Sequence, residues 1–115
     1  MTQEEKQLLL KDLCARLLYE TYIEMVDKDG NVYDEIELGP EHINIVRYDE
    51  STSIRPYLRP MSSMTEEEEK EYLDARSDYY DDLETYDWLN AHHFDYRGLI
   101  EKGLALEAPE DMYKF

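Results

Sequence analysis

Apolar residues recur along this chain with two different periods, and the changes of period divide it. Leu9, Leu10, Leu13, Cys14 and Leu17 return at helical spacing, and Thr2 with Glu5 three positions on forms a capping box, so an amphipathic helix is predicted over about residues 3–18. From Tyr19 the period becomes two: Tyr19, Thr21, Ile23 and Met25 alternate with Glu20, Tyr22 and Glu24, the signature of a strand. A second strand is predicted through Val32, Ile36 and Leu38, and a third through Ile43, Ile45 and Arg47. Between the first two stands Asp27-Lys28-Asp29-Gly30-Asn31, whose Asp-Gly suits a hairpin turn because the turn needs positive φ.

Gly39-Pro40 separates the second strand from the third. Pro56 and Pro60 then exclude a regular helix and predict a rigid, extended or turn-like connector, with Arg55 and Arg59 expected to pair internally with carboxylates.

The longest periodic stretch is Thr65 to Trp88. On one helix, Tyr72, Leu73, Ala75, Tyr79, Tyr80, Leu83 and Tyr86 share a face, while Glu67, Glu71, Asp74, Asp78, Asp81 and Asp82 gather opposite. Thr65 and Glu68 form its capping box, and Glu66 to Glu69 suit the positive end of its dipole. Beyond it, Asp95 is predicted to cap a short helix holding Leu99 and Ile100 and ending at Gly103, and the apolar run Leu104 to Pro109 to fold back onto the domain.

These elements make one α+β domain over 1–115: an N-terminal helix (1–18), a β-meander with a Pro-rich connector (19–60) forming a small antiparallel sheet of three to four strands, and a helical C-terminal half (65–103). A chain of 115 residues has room to bury roughly two-thirds of its unfolded surface.

Charge changes the picture most. The net charge is −17, and Thr65 to Asp87 carries eleven carboxylates against Lys70 and Arg76, a local −9. Direct binding to nucleic acid or to an anionic membrane is thereby disfavoured, and the expected partner is a basic protein. One reading of the acidic stripe is a solvated, solubilising face. The other is a partner-binding surface of Glu67, Glu71, Asp74, Asp78, Asp81 and Asp82, with Tyr79 and Tyr80 as anchors. Carboxylates a helical turn apart repeat at about 5.4 Å, near the spacing of phosphates along a strand, so a basic groove built for nucleic acid is one candidate partner. Exposed tyrosines suit a homodimer seam as well. The single cysteine, Cys14, excludes an internal disulfide framework and fits a reducing cytoplasm; on its apolar stripe it is expected to be a buried structural thiol.

Two segments invite a metal reading. Asp27, Asp29 and Asn31 resemble an acidic calcium loop, but the glycine stands fourth and Leu38 occupies the twelfth position, so the plain hairpin is preferred. His92, His93 and Asp95 are the alternative centre of a small metal-dependent module or enzyme, the two histidines needing Asp95 or His42 to complete a metal site. Adjacent histidines on a helix point about 100° apart, and no nucleophile accompanies them, so structural capping is preferred; no cofactor and no catalytic residue are assigned.

The segments Pro56-Tyr57-Leu58-Arg59-Pro60-Met61-Ser62-Ser63-Met64-Thr65-Glu66-Glu67-Glu68, His93-Phe94-Asp95-Tyr96-Arg97-Gly98-Leu99-Ile100 and Gly103-Leu104-Ala105-Leu106-Glu107-Ala108-Pro109, together with the Asp27 to Tyr33 hairpin, resemble a family of small uncharacterised proteins of Bacteroides-group gut bacteria and their phages. The resemblance spans roughly the C-terminal half and departs in the Ser77 to Asp87 run. It implies a phage or mobile-element protein in the cytoplasm of a bacterial host, and carries over no activity and no catalytic residue. The functional expectation is therefore a protein that binds and modulates a basic host protein, an anti-defence inhibitor or nucleic-acid mimic being one concrete version.

Overall fold

The protein is described by a computed structural model covering residues 1–76 and 82–113, with backbone only at residues 82 and 83. The α+β expectation holds. Its elements are α1 (Gln3–Arg16), β1 (Tyr22–Val26), β2 (Val32–Glu37), α2 (Pro40–Tyr48), β3 (Ser53–Leu58), a 3-10 turn at Met61–Ser63, α3 (Glu66–Ala75), α4 (Asp82–Ala91) and β4 (Leu106–Glu107). The sheet runs β2-β1-β3-β4. β1 pairs antiparallel with both β2 and β3, whereas β3 and β4 are parallel, so the sheet is mixed rather than wholly antiparallel.

α1 begins at the predicted capping box, with Glu5 N–H donating to Thr2 Oγ1 at 3.1 Å and Thr2 N–H to the Glu5 carboxylate at 2.8 Å. Leu9, Leu10 and Leu13 of α1 join Ile43 and Val46 of α2, Ile23 of β1, Ile54 and Leu58 of β3, and Leu99, Leu104 and Ala105 in one core. The hairpin turn is also as expected: Gly30 has φ +83° and its N–H donates to Asp27 C=O at 3.0 Å. In β2 the register slips by one residue opposite Ile23 and Met25, and Glu35 takes φ 51°, a bulge that turns the Asp34 carboxylate to accept from the Tyr57 hydroxyl. Burial, then that bond to Asp34, pushes the Tyr57 phenol up to about 12. On the face away from the core, Arg55 lies directly across from Glu24 and pairs with it at 2.8 Å, the internal pairing expected of this arginine.

Five expectations are corrected. Ile43 to Arg47 is not a strand but lies in α2: Pro40 stands at the first helical position with Glu41 beside it, and the His42 imidazole accepts from Gly39 N–H at 2.9 Å, so the polypeptide turns helical there. Ile43 and Val46, three apart, face the core. The Pro-rich connector is a strand, β3. An antiparallel ladder tolerates a proline opposite Ile23 only in a pair that exchanges no bonds, and on the other side β4 starts to pair only at Tyr57. The Thr65 to Trp88 helix is two, α3 and α4, and Thr85 Oγ1 donates to the Ala75 carbonyl at the end of α3 at 2.8 Å. Leu73 of its expected core face is 62% exposed, and Tyr86 is exposed as well. No short helix follows Asp95, whose carboxylate accepts from Leu99 and Ile100 N–H at 2.8 and 3.0 Å while Gly98 takes φ +73°, a conformation that a helix does not admit. Cys14 is exposed, not buried.

What α1 buries instead is polar. Asp12 and Arg16 are both wholly shielded from solvent; Arg16 Nε and Nη2 donate to the Asp12 carboxylate at 2.8 and 3.0 Å, and Arg97 Nη1 donates to it at 2.8 Å. Arg16 Nη2 also donates to the Phe94 carbonyl at 2.7 Å. The Tyr96 ring lies against both guanidinium groups, at 5.4 Å from Arg16 and 4.6 Å from Arg97. This network fastens the chain after α4 to α1.

The end of the chain fastens the sheet. Just beyond Ile23 and Pro56, the last paired residues of β1 and β3, the Tyr113 hydroxyl accepts from Tyr22 N–H and donates to Tyr57 C=O, both at 2.8 Å. Burial raises the Tyr113 phenol above its ordinary range. Tyr113→Phe leaves those two backbone groups without that partner, so a loss of about 1–3 kcal/mol is expected. Chemical denaturation compared with the natural chain checks it, and an unchanged midpoint would deny the hydroxyl this bridging role.

Candidate interaction site on the acidic helix

Among the described residues α3 is held at its start, at Tyr72 and at its end, and none of its residues is buried. Its start is the predicted capping box, Glu68 N–H donating to Thr65 Oγ1 at 3.2 Å and Thr65 N–H to Glu68 Oε1 at 3.0 Å. The same Glu68 carboxylate receives the fork of Arg59, both nitrogens at 2.7 Å. That charge-assisted pair, largely shielded from solvent, holds the Glu68 carboxyl down at about 2. Arg59 in turn lies 4.2 Å from the centre of the Phe94 ring, and its backbone bonds to that of His93 and Asp95. Thus β3, α3 and the chain after α4 meet at one residue. Along α3, Tyr72 packs against Trp88 of α4 at 5.8 Å between ring centres, and at its end Thr85 caps Ala75.

None of the ten residues of α3 is buried. A helix usually owes its stability in a protein to a buried apolar face. This one relies on its cap, its fork to Arg59 and one aromatic contact, leaving Glu66, Glu67, Glu69, Glu71, Leu73 and Asp74 open to solvent. Of the predicted partner surface, Glu67 and Asp74 are unobstructed in this sense. Glu71 is exposed but accepts from the Trp88 indole N–H at 3.3 Å and stands 3.9 Å from His92 Nε2. Asp78, Tyr79, Tyr80 and Asp81 lie outside the described residues, as does the Asp82 side chain.

The metal candidates are drawn apart. His92 stacks on Trp88 with 4.1 Å between ring centres, while His93 turns into the interior, its Nδ1 3.2 Å from Thr21 Oγ1 and its ring stacked 3.7 Å from Tyr113. Asp95 spends its oxygens on the Leu99 and Ile100 amides, and His42 caps α2. Asp27 turns both oxygens inward on its own loop, to Asp29 N–H, Asn31 N–H, the Asn31 amide and the Tyr33 hydroxyl, an Asx turn that lowers its carboxyl chiefly through the Asn31 amide. Asp29 is exposed. Among the described residues no three His, Cys, Asp or Glu side chains converge on a common point.

Among the described residues His93 is the one strongly perturbed base. Burial first, then the charges of Arg16 and Arg59, push its imidazole down to about 3, so it is neutral at physiological pH. It also carries φ 63°, rare outside glycine. Its contact Thr21 is fully shielded, so that hydroxyl offers no atom to an outside substrate. Comparison with family models, with curated proteins and with solved structures gives no match.

Sequence reasoning took Glu68 for a cap alone and missed that it anchors the whole helix. The sequence assigns Arg59 no particular carboxylate partner, since nothing in it distinguishes Glu68 from Glu66, Glu67 or Glu69 until the helix is placed.

Proposed function

We propose that this is a binding protein that presents α3 to a basic surface of another protein and so modulates it, in the manner of an inhibitor carried by a phage or mobile element into a bacterial cytoplasm. The supporting observation is that α3 is fastened at its start by the Arg59 fork to Glu68 while none of its ten residues is buried. Glu67, Glu71 and Asp74 supply the charge of that surface. A groove that otherwise holds nucleic acid suits such a row of carboxylates, which would make the protein a nucleic-acid mimic with an anti-defence role.

The test compares capture from host lysate by the natural chain and by a Glu67→Gln, Glu71→Gln, Asp74→Asn variant. A basic protein should be captured by the first, with an affinity that falls as salt rises. Exposed charges of this kind contribute about 0.2–1 kcal/mol each, so the variant should bind that protein about three- to a hundredfold more weakly. Equal binding by both chains would reduce the acidic face to a solubilising one.

A further inference from the structure

The cations of this chain are few, and three of them line one groove. Between α1 and α2 lies an open depression of about 650 Å³ whose walls carry Lys6 and Lys11 of α1 and Arg47 of α2. Gln3 and Gln7 add amide donors, and Tyr48 stands at the rim, 79% exposed. In a sequence where 29 of 115 residues are acidic, about two carboxylates would be expected in a lining of this size by composition alone. The lining contains none. Lys6 Nζ spends one donor on the Arg47 carbonyl at 2.9 Å, which joins the two helices across the groove. Lys11 and the Arg47 guanidinium enter no ion pair among the described residues.

We propose that this groove binds the phosphates of a free nucleotide, with the base stacked on Tyr48. Three cations and two amides all donate, and none repels an oxyanion, so a compact group with several oxygens satisfies them together. The exposed phenol ring offers a flat apolar face to a base. The volume lies within the range of small-molecule sites. Charge also selects the size of the ligand. A nucleic-acid strand would continue out of the groove over a surface whose net charge is −17, whereas a mononucleotide keeps its charge inside the cationic lining. The site is separate from α3, and its failure would leave the reading of α3 untouched.

The test is an isotope-edited amide titration of the full chain at low salt and without divalent metal, using ATP, AMP, inorganic pyrophosphate, adenosine and a short single-stranded oligonucleotide in turn. ATP should shift amides of residues 3–11 and 47–48 in a saturable way, with AMP and pyrophosphate weaker and adenosine without effect. Lys11→Gln with Arg47→Gln should weaken ATP at least tenfold. Tyr48→Ala should weaken ATP but leave pyrophosphate unchanged, separating base from phosphate. All three positions are exposed, so these variants should fold as the natural chain does. No saturable shift with ATP at millimolar concentration, or shifts spread equally over Lys28 and Lys102, would overturn the proposal; so would an oligonucleotide that binds more tightly than ATP.

Discussion

Asp12→Ala is expected to remove about 3–5 kcal/mol of folding stability, the cost of stripping a buried guanidinium of its carboxylate. Asp12 and Arg16 are both wholly buried, and Asp12 also holds Arg97, so one deletion frees two cations and leaves Arg16 with the Phe94 carbonyl as its remaining hydrogen-bond acceptor. Arg97 has an exit, since its side chain is 16% exposed; Arg16 has none. Among the described residues Arg16 Nη1 already lacks an acceptor, so the site has little left to offer. A domain of this size is typically stable by about 5–15 kcal/mol, which makes the loss a large share. Urea denaturation monitored by circular dichroism checks it through the midpoint. The companion variant Asp12→Leu with Arg16→Met removes both buried charges and should be markedly more stable than Asp12→Ala. If the single variant loses less than about 1 kcal/mol, the network is not holding the chain after α4 to α1.

Acid should destabilise the protein from an unusually high pH. His93 titrates near 3 when folded and near 6.5 when unfolded, so below 6.5 the unfolded chain binds a proton that the folded one refuses. Stability is therefore fully present above about pH 6.5 and falls as pH drops toward 3, by up to about 1.4 kcal/mol per pH unit. Roughly 3 kcal/mol should be gone by pH 4 from this group alone. Glu68 adds a second, later loss: its folded carboxyl near 2 lies below the ordinary 4.5, so its contribution is present above 4.5 and disappears as pH falls from there toward 2. His93→Asn separates the two, because asparagine tolerates the positive φ of this position and does not titrate. It should lose some stability at pH 7 with the ring stack on Tyr113, yet show a much flatter profile between pH 7 and 5. His42 and His92 are retained in both proteins as a common background. Parallel profiles for the two would mean that His93 is not the acid-sensitive group.

Local signals carried far in this sequence. Both capping boxes, at Thr2 with Glu5 and Thr65 with Glu68, and the hairpin at Gly30 are in place because each depends only on residues a few positions apart. The carboxylates of α3 were legible for the same reason. Ile43 to Arg47 misled because Ile43, Ile45 and Arg47 satisfy a period of two while Ile43 and Val46 satisfy a helix equally well; Gly39-Pro40, taken as a separator, was the start signal that decides. β3 contains a proline and owes its strand geometry to β1 and β4, neither visible from its own residues. Asp12 and Arg16 fall outside the apolar stripe that marks α1 in the sequence, and they bond to Phe94 and to Arg97, which is 85 positions from Asp12. The open state of α3 was equally hidden, since exposure follows from what fails to pack on a helix rather than from the helix itself.

β2 is an outer strand of the sheet, and Val32 and Tyr33 on it are 59% and 46% exposed. A free strand edge with apolar side chains is a template on which another chain can add, and β2 answers with the kink at Glu35 and with Asp34, Glu35 and Glu37 along its length. Those guards are carboxylates, as is most of the charge that keeps whole molecules apart. Near the isoelectric point of 4.3 both are weakened together, just where His93 and Glu68 are loosening the fold. Colloidal stability and conformational stability are therefore expected to weaken over the same span of pH, so that acidification toward 4.3 should favour association over a soluble unfolded chain, which light scattering during a pH titration checks.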